Sequence, residues 1–301
     1  MSTQRNSEAP QQGGLTPQQK QQFHDDGFLF VRNLLPNQSL QPLIDELAQF
    51  VDDGAQAAVK HGILDPSETY DNEPFETRLA LVSNACSEPN WIWSNYFRDQ
   101  KIRTAGMFTL RTAPTLLDVV ESLIGSEILA HPQFNFRAKM PNQDITVIPW
   151  HQDLAYLIPE DAGDTLVVNV WLPLVRATEE NGCMQVIRGS HRFDLINHNF
   201  QDQTPGHTGG KGISDIELPP GDIVTAELDV GDVLLTSERV VHRGLPNRAD
   251  TVRWSVDTRY SQIGLPTGRA SVPGFVARSR ANPENVAKSH HDWNRLFAIS
   301  N

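Results

Sequence analysis

Val252-Arg253-Trp254-Ser255-Val256-Asp257-Thr258-Arg259-Tyr260 alternates with a period of two. Successive residues of an extended strand point to opposite faces, so Val252, Trp254, Val256, Thr258 and Tyr260 make one packing face. Arg253, Ser255, Asp257 and Arg259 share the other. A buried guanidinium is costly unless it meets an anion, so a second face of this kind suits the lumen of a barrel. The same period recurs upstream. Ile128 to Met140, Leu166 to Leu174, Met184 to Arg188, Ile223 to Leu228 and Val233 to Thr236 read as strands, separated by the turn signals Asn181-Gly182, Pro219-Pro220-Gly221 and Val230-Gly231-Asp232.

Up to Gly125 the regular stretches are mostly helical in period instead. Thr16-Pro17 predicts an N-cap and first helical position, with Gly27 ending that helix before the short strand Phe28 to Val31. Ser39 is placed to cap a second helix whose stripe runs Leu40, Leu43, Ile44, Leu47, Phe50 and Val51 up to Gly54. Residues 60 to 105 look irregular, with an aromatic cluster of Trp91, Trp93, Tyr96 and Phe97 that reads as packing or part of a lid. A further helix is expected over Thr115 to Ile124, ending at Gly125, and a last one over Pro283 to Phe297. Helices first and short strands later predict an all-β core with accessory helices, of the jelly-roll or cupin class. Residues 1–14 offer almost nothing to bury and read as a disordered lead-in to a single domain over 15–301.

Of 301 residues, 25 are Lys or Arg and 37 are Asp or Glu, a net charge of -12 that lacks the cationic footprint for nucleic acid or anionic membranes. Only Cys86 and Cys183 are present, too few for a disulfide framework or a Cys-based zinc site. No apolar run reaches membrane-spanning length, and Met1 to Gly14 has no signal-peptide core. A cytoplasmic protein acting on a small molecule is expected.

His151 and Asp153 are separated by one residue at the end of a strand, so both side chains can converge on one point. His242 follows 89 residues after Asp153, behind a strand-turn-strand pattern. Two imidazoles and one carboxylate on one face of a metal, with the other positions open, suit non-haem Fe(II). Arg253 lies eleven residues beyond His242, on the inward face, where its planar fork suits a ligand carboxylate. His-x-Asp by itself is weak evidence; joined to a distal His and an Arg at this spacing in a β-rich chain, it is specific. His191, in a Gly-Ser-His turn, is better read as bonding backbone than as a third ligand. Asn181-Gly182-Cys183 reads as a tight turn with a small buried residue.

Pro149-Trp150-His151-Gln152-Asp153, Glu180-Asn181-Gly182-Cys183, Gly189-Ser190-His191 and His242-Arg243-Gly244 with Arg253 resemble the phytanoyl-CoA dioxygenase family. The likeness extends from Leu15-Thr16-Pro17 and Gly27-Phe28 to about residue 262. It implies a double-stranded β-helix, with Fe(II) on His151, Asp153 and His242, and 2-oxoglutarate and O2 as co-substrates. It also implies that Arg253 takes the distal carboxylate of 2-oxoglutarate. Gln133 matches a co-substrate-contacting position in some members, and Trp171 one in others after a two-residue insertion. Where some members carry a hydroxyl residue two places after the distal His, this chain has Gly244. The expected outcome is hydroxylation of an unactivated C–H bond of a small metabolite or natural-product intermediate. Desaturation, cyclisation and epimerisation start from the same radical. Trp150 and Tyr156 flank the metal pair and read equally as substrate wall or as core; Arg137 and Lys139 read equally as inward or solvated. A cupin-like binding protein or a zinc hydrolase on the same triad is the alternative, but neither needs a buried carboxylate anchor. Asp153 speaks against a halogenase, which by the same resemblance would carry a small residue there.

Overall fold

The computed structural model describes residues 13–88, 91–92, 94–95, 102–144, 147–198, 200–201 and 211–298. Most of the expected lead-in, together with Trp93, Tyr96 and Phe97, lies outside the described residues.

Helix α1 (Pro17–Asp26) opens as expected. Thr16 and Gln19 form a reciprocal capping box, and Gly27 ends the helix in the left-handed region at φ 83°. Strand β1 (Phe28–Val31) follows, then α2 (Asn37–Lys60). This second helix is longer at both ends than expected. Pro36 stands at the N-cap without a side-chain bond, Ser39 is buried inside the first turn, and Gly54 does not stop the helix. The apolar stripe continues through Val51, Ala55 and Ala58, so packing overrides the glycine penalty of about 1 kcal/mol.

Two further helices lie in or beside the stretch that looked irregular, α3 (Phe75–Ala85) and α4 (Ala105–Arg111). Gly106 in the first turn of α4 reads locally as a breaker. In the fold it permits helix contact, because a Cβ there would stand 2.6 Å from the backbone nitrogen of Leu43 in α2. Glu46 of α2 then accepts from the Gly106 amide at 2.8 Å and from the Thr104 hydroxyl. Helix α5 (Pro114–Ile124) ends at Gly125 as expected.

The remaining strands are β2 (Ile128–Lys139), β3 (Ile148–His151), β4 (Val168–Pro173), β5 (Met184–Ile187), β6 (Phe200–Gln201), β7 (Lys211–Gly212), β8 (Ile223–Ala226), β9 (Val233–Ser237), β10 (His242–Gly244), β11 (Arg253–Gln262) and β12 (Phe275–Arg278), with the short helix α6 (Pro159–Ala162) after β3. Instead of one C-terminal helix there is a 3-10 turn at Pro283–Asn285 and then α7 (His290–Ala298). The break arises because the Ala287 amide bonds to the Val276 carbonyl of β12, which holds the chain off helical geometry.

All strand pairs among the described residues are antiparallel. A six-stranded sheet in the order β1-β9-β4-β11-β2-β12 faces a four-stranded sheet in the order β3-β10-β5-β8. One face of the large sheet carries Phe134, Phe136, Ala138, Trp254, Val256 and Tyr260 into the core under the helices, where Trp254 stacks on Phe75 at 4.7 Å. The other face meets the small sheet: Phe28, Phe30, Trp171 and Leu234 pack with Cys183, Val186, Val224 and Ala226. The alternation in β11 therefore sorts core from lumen, with Arg253, Ser255, Asp257 and Arg259 inward and all but Asp257 buried. No helix among the described residues is long and apolar enough to cross a membrane.

Candidate metal centre

His151 closes β3, and Gln152 keeps extended backbone (φ -109°, ψ 135°), so Asp153 points the same way as His151. The strand itself stops at His151; Asp153 begins a 3-10 turn through Tyr156. Gln152 points away and is pinned, its side-chain Oε1 accepting from the Ile196 backbone amide at 2.8 Å and its Nε2 donating to the Arg239 carbonyl at 2.9 Å. His242 opens β10 and is the direct antiparallel partner of His151, with an irregular register between His242 and Gly244. Such bulges re-aim side chains.

The three side chains are buried, and one donor atom of each lies within 4.8 Å of the other two. Nε2 of His151 stands 3.8 Å from Asp153 Oδ1, and Nε2 of His242 stands 3.9 Å from Asp153 Oδ2. These separations are too long for hydrogen bonds and suit donors aimed at a common point. Each imidazole turns Nδ1 to a backbone carbonyl, His151 to Pro149 at 2.8 Å and His242 to Val240 at 2.9 Å. A proton on Nδ1 donates there and leaves the Nε2 lone pair for the cluster. Burial, and then the neighbouring His242, push the His151 pKa down to about 3, so its imidazole is neutral near pH 7 as a metal ligand must be. Burial opposes ionisation of Asp153, but the Arg259 guanidinium and the two imidazoles outweigh it and hold its carboxyl well below the usual range. Two imidazole nitrogens and one carboxylate, open on the cleft side, form the donor set of non-haem Fe(II) sites.

Asp153 is itself held from behind. Arg259 Nη2 donates to Oδ1 at 2.8 Å and Asn169 Nδ2 donates to Oδ2 at 2.6 Å, while Arg259 Nη1 reaches Asp257 at 3.0 Å. From the triad a cleft runs between the sheets past Trp171, Met184 and Gly244 to Lys139 and Arg253.

The phytanoyl-CoA dioxygenase (PhyH) family profile matches residues 23–255. The chain belongs to the phytanoyl-CoA dioxygenase family. It is a 2-oxoglutarate-dependent non-haem iron dioxygenase, with Fe(II) as its metal and 2-oxoglutarate and O2 as co-substrates. It is 23% identical to the human peroxisomal phytanoyl-CoA dioxygenase over 257 residues, 82% of this chain and 68% of that protein. To the probable alpha-ketoglutarate-dependent hypophosphite dioxygenase of Stutzerimonas stutzeri it is 24% identical, over 78% of this chain and 74% of the relative. Among solved structures it shares its fold with the non-haem monooxygenase ThoJ (TM-score 0.56, 18% identity, 93% of this chain and 92% of that one). The epimerase SnoN, solved in complex with Fe3+, alpha-ketoglutarate and nogalamycin RO, gives a TM-score of 0.51 at 18% identity, covering 84% of this chain and 87% of its own.

Within this PhyH member the other sequence-derived candidates separate. Arg253 is buried at the far end of the cleft, its Nη1 donating to the Ser255 hydroxyl and its Cζ 5.3 Å from the centre of the Trp171 ring. Trp171 lines the cleft as well. Gln133 lies in β2 on the alternation of Asn135, Arg137 and Lys139, with Oε1 buried and no hydrogen-bond partner among the described residues. Tyr156 stands edge-on to His151, ring centres 5.4 Å apart. Trp150 does not reach the cleft. Adjacent to His151 in β3, it points to the opposite face, packs with Ile187, Ile213 and Val241, and has Arg243 4.5 Å above its ring. His191 bonds the His24 carbonyl at 2.9 Å and lies away from the triad. The residues that sequence reading left out of the site are Arg259, Asn169 and Lys139. Arg259 shares the period-two face of Arg253, a usable signal; Asn169 has none, since only the pairing of β4 with β9 and β11 brings it to Asp153.

Proposed function

We propose that this dioxygenase hydroxylates an unactivated C–H bond of a small metabolite or natural-product intermediate. In this reading His151, Asp153 and His242 are the iron ligands, within a double-stranded β-helix of jelly-roll, cupin-like form. Iron, when bound, supplies the oxidative decarboxylation of 2-oxoglutarate by O2 to succinate and CO2, coupled to oxidation of the substrate C–H bond. The chain's own residues do the rest. Arg259 and Asn169 orient Asp153, the carbonyls of Pro149 and Val240 fix both imidazole tautomers, and the walls of the cleft limit water at the reacting centre. Arg253 holds the distal carboxylate of 2-oxoglutarate, with Trp171 along its side and Gln133 as a further contact. Tyr156, edge-on to His151, is the candidate substrate wall. Two buried free cysteines, Cys86 and Cys183, support a reducing, cytoplasmic setting.

The observation that carries the reading is Arg253. It is 3% exposed, forms no ion pair among the described residues, and leaves Nε unpartnered at the end of the cleft that begins at the triad. A binding module or a hydrolase has no use for a buried cation there, whereas a dicarboxylate co-substrate does. Replacing Arg253 with Gln takes the guanidinium partner from that buried carboxylate, a loss of about 3–5 kcal/mol, or at least about 100-fold in 2-oxoglutarate affinity. Iron affinity is expected to stay unchanged, because Arg253 is not a ligand. Unaltered 2-oxoglutarate affinity would place the anchor elsewhere, and joint loss of iron and fold would make Arg253 structural.

A further inference from the structure

Arg253 is not alone at the end of the cleft. Its direct cross-strand partner is Lys139, the last residue of β2, on the same inward face. Lys139 is 3% exposed. Its ammonium donates to the Leu245 carbonyl, and among the described residues neither cation forms an ion pair with a carboxylate. Directly opposed like charges on neighbouring strands destabilise a sheet, and burial adds to the cost. Both groups show it, since burial and the mutual repulsion hold the lysine well below its ordinary value and burial lowers the arginine to about 10. A fold that carries two buried cations side by side needs an anion between them.

The surroundings of Lys139 are built to admit its length. A Cβ on Gly182 would meet Lys139 Cδ at 2.7 Å, and a Cβ on Gly244 would meet Lys139 Nζ at 2.9 Å. Two glycines from separate segments therefore leave room for one side chain. Gly244 follows His242 by two residues in β10, and Gly244, Lys139 and Arg253 line the same cleft as the three triad residues. A dicarboxylate lying along that cleft meets both cations at its far end.

We infer that Lys139 is a second co-substrate anchor: its ammonium and the Arg253 guanidinium together clamp the distal carboxylate of 2-oxoglutarate, while Gly182 and Gly244 make the room that the lysine side chain itself occupies. This rests on the proposed role of the cleft and adds to it a residue, a charge count and a steric requirement. The anchor is doubly cationic, so 2-oxo acids without the second carboxylate are poor replacements.

The test is calorimetric titration of anaerobic Fe(II)-loaded protein with 2-oxoglutarate and with 2-oxopentanoate, which keeps the chain but ends in methyl. Lys139→Met keeps the volume and removes the charge. It is expected to weaken 2-oxoglutarate by roughly 10- to 100-fold and to leave 2-oxopentanoate within about 3-fold of wild type. Gly244→Ala displaces the ammonium and is expected to weaken 2-oxoglutarate in the native background but not in Lys139→Met. The metal- and ligand-free Lys139→Met protein should melt at or above the wild-type temperature, because a like-charge repulsion has been relieved. A lower melting temperature with unchanged 2-oxoglutarate affinity would make Lys139 a tie for the Leu245 turn and overturn the inference. So would equal losses for both oxo acids. If Lys139→Met does not fold, Gly244→Ala decides alone, and native affinity in that variant overturns it. Absence of 2-oxoglutarate binding in wild type would instead overturn the reading of the cleft, and this inference with it.

Discussion

Replacing Arg259 with Met separates the stability of the metal-free protein from that of the metal-loaded one. Arg259 is buried between two carboxylates, at 2.8 Å from Asp153 and 3.0 Å from Asp257. Burial disfavours its charge, but the two carboxylates outweigh that and raise its pKa. Breaking a buried pair by removing one partner costs about 3–5 kcal/mol, because the surviving charge is left uncompensated. At about 2 cal/mol/K per residue, a chain of 301 residues loses roughly 5–8 °C of melting temperature for that change. Asp257 keeps Arg137 at 3.4 Å and Asn135 at 2.7 Å. Asp153 keeps only Asn169 and the two imidazoles, so most of the deficit sits at the metal site. A divalent cation restores the missing positive charge there. Thermal denaturation with and without Mn(II) should therefore show a larger metal-dependent gain in Arg259→Met than in wild type. Metal-free melting within about 1 °C of wild type, or a loss of the same size with and without metal, would refute the claim that Arg259 compensates Asp153.

Acid should destabilise the metal-free protein early. Burial holds His131 at about 4 and, with His242, His151 at about 3. Unfolding lets both bind protons near their ordinary value of about 6.5, so the stability these neutral imidazoles contribute is complete above that pH and is lost as pH falls towards the folded values. Between pH 7 and 5 each accounts for about 2 kcal/mol, and denaturant titrations that give equal stability at the two pH values would contradict the burial of these rings. Gly106→Ala should cost about 1–3 kcal/mol by forcing α4 off α2, measurable as a lower denaturation midpoint with Fe(II) affinity intact; a neutral effect would mean the helices are not in contact there.

The lumen face of β11 and the convergence of His151, Asp153 and His242 were legible because they depend on short-range alternation and on residue types that few structural roles require. Local caps were legible for the same reason, as at Thr16, Gly27 and Gly125. What escaped was whatever tertiary contact decides. Gly54 looks like a helix stop until the apolar stripe beyond it is seen to pack. Trp150 could not be excluded from the cleft until its strand was oriented, and one residue's offset from His151 sends it to the far side. Lys139 reads equally as solvated or inward until β2 is registered on β11; Arg137, two residues away on the same face, lines the cleft but keeps its side chain 48% exposed. Asn169 needed two strand pairings to meet Asp153.

If His151, Asp153 and His242 hold iron in a cleft that also takes 2-oxoglutarate, anaerobic absorption spectroscopy of the Fe(II)-loaded protein will show both. Addition of 2-oxoglutarate to wild type should produce the weak visible charge-transfer band of the iron chelate, and Asp153→Ala, folded by circular dichroism, should bind iron more weakly and lose the band. A wild-type protein that is fully loaded with iron and shows no band, or an Asp153→Ala variant that keeps it at native iron affinity, would contradict the account.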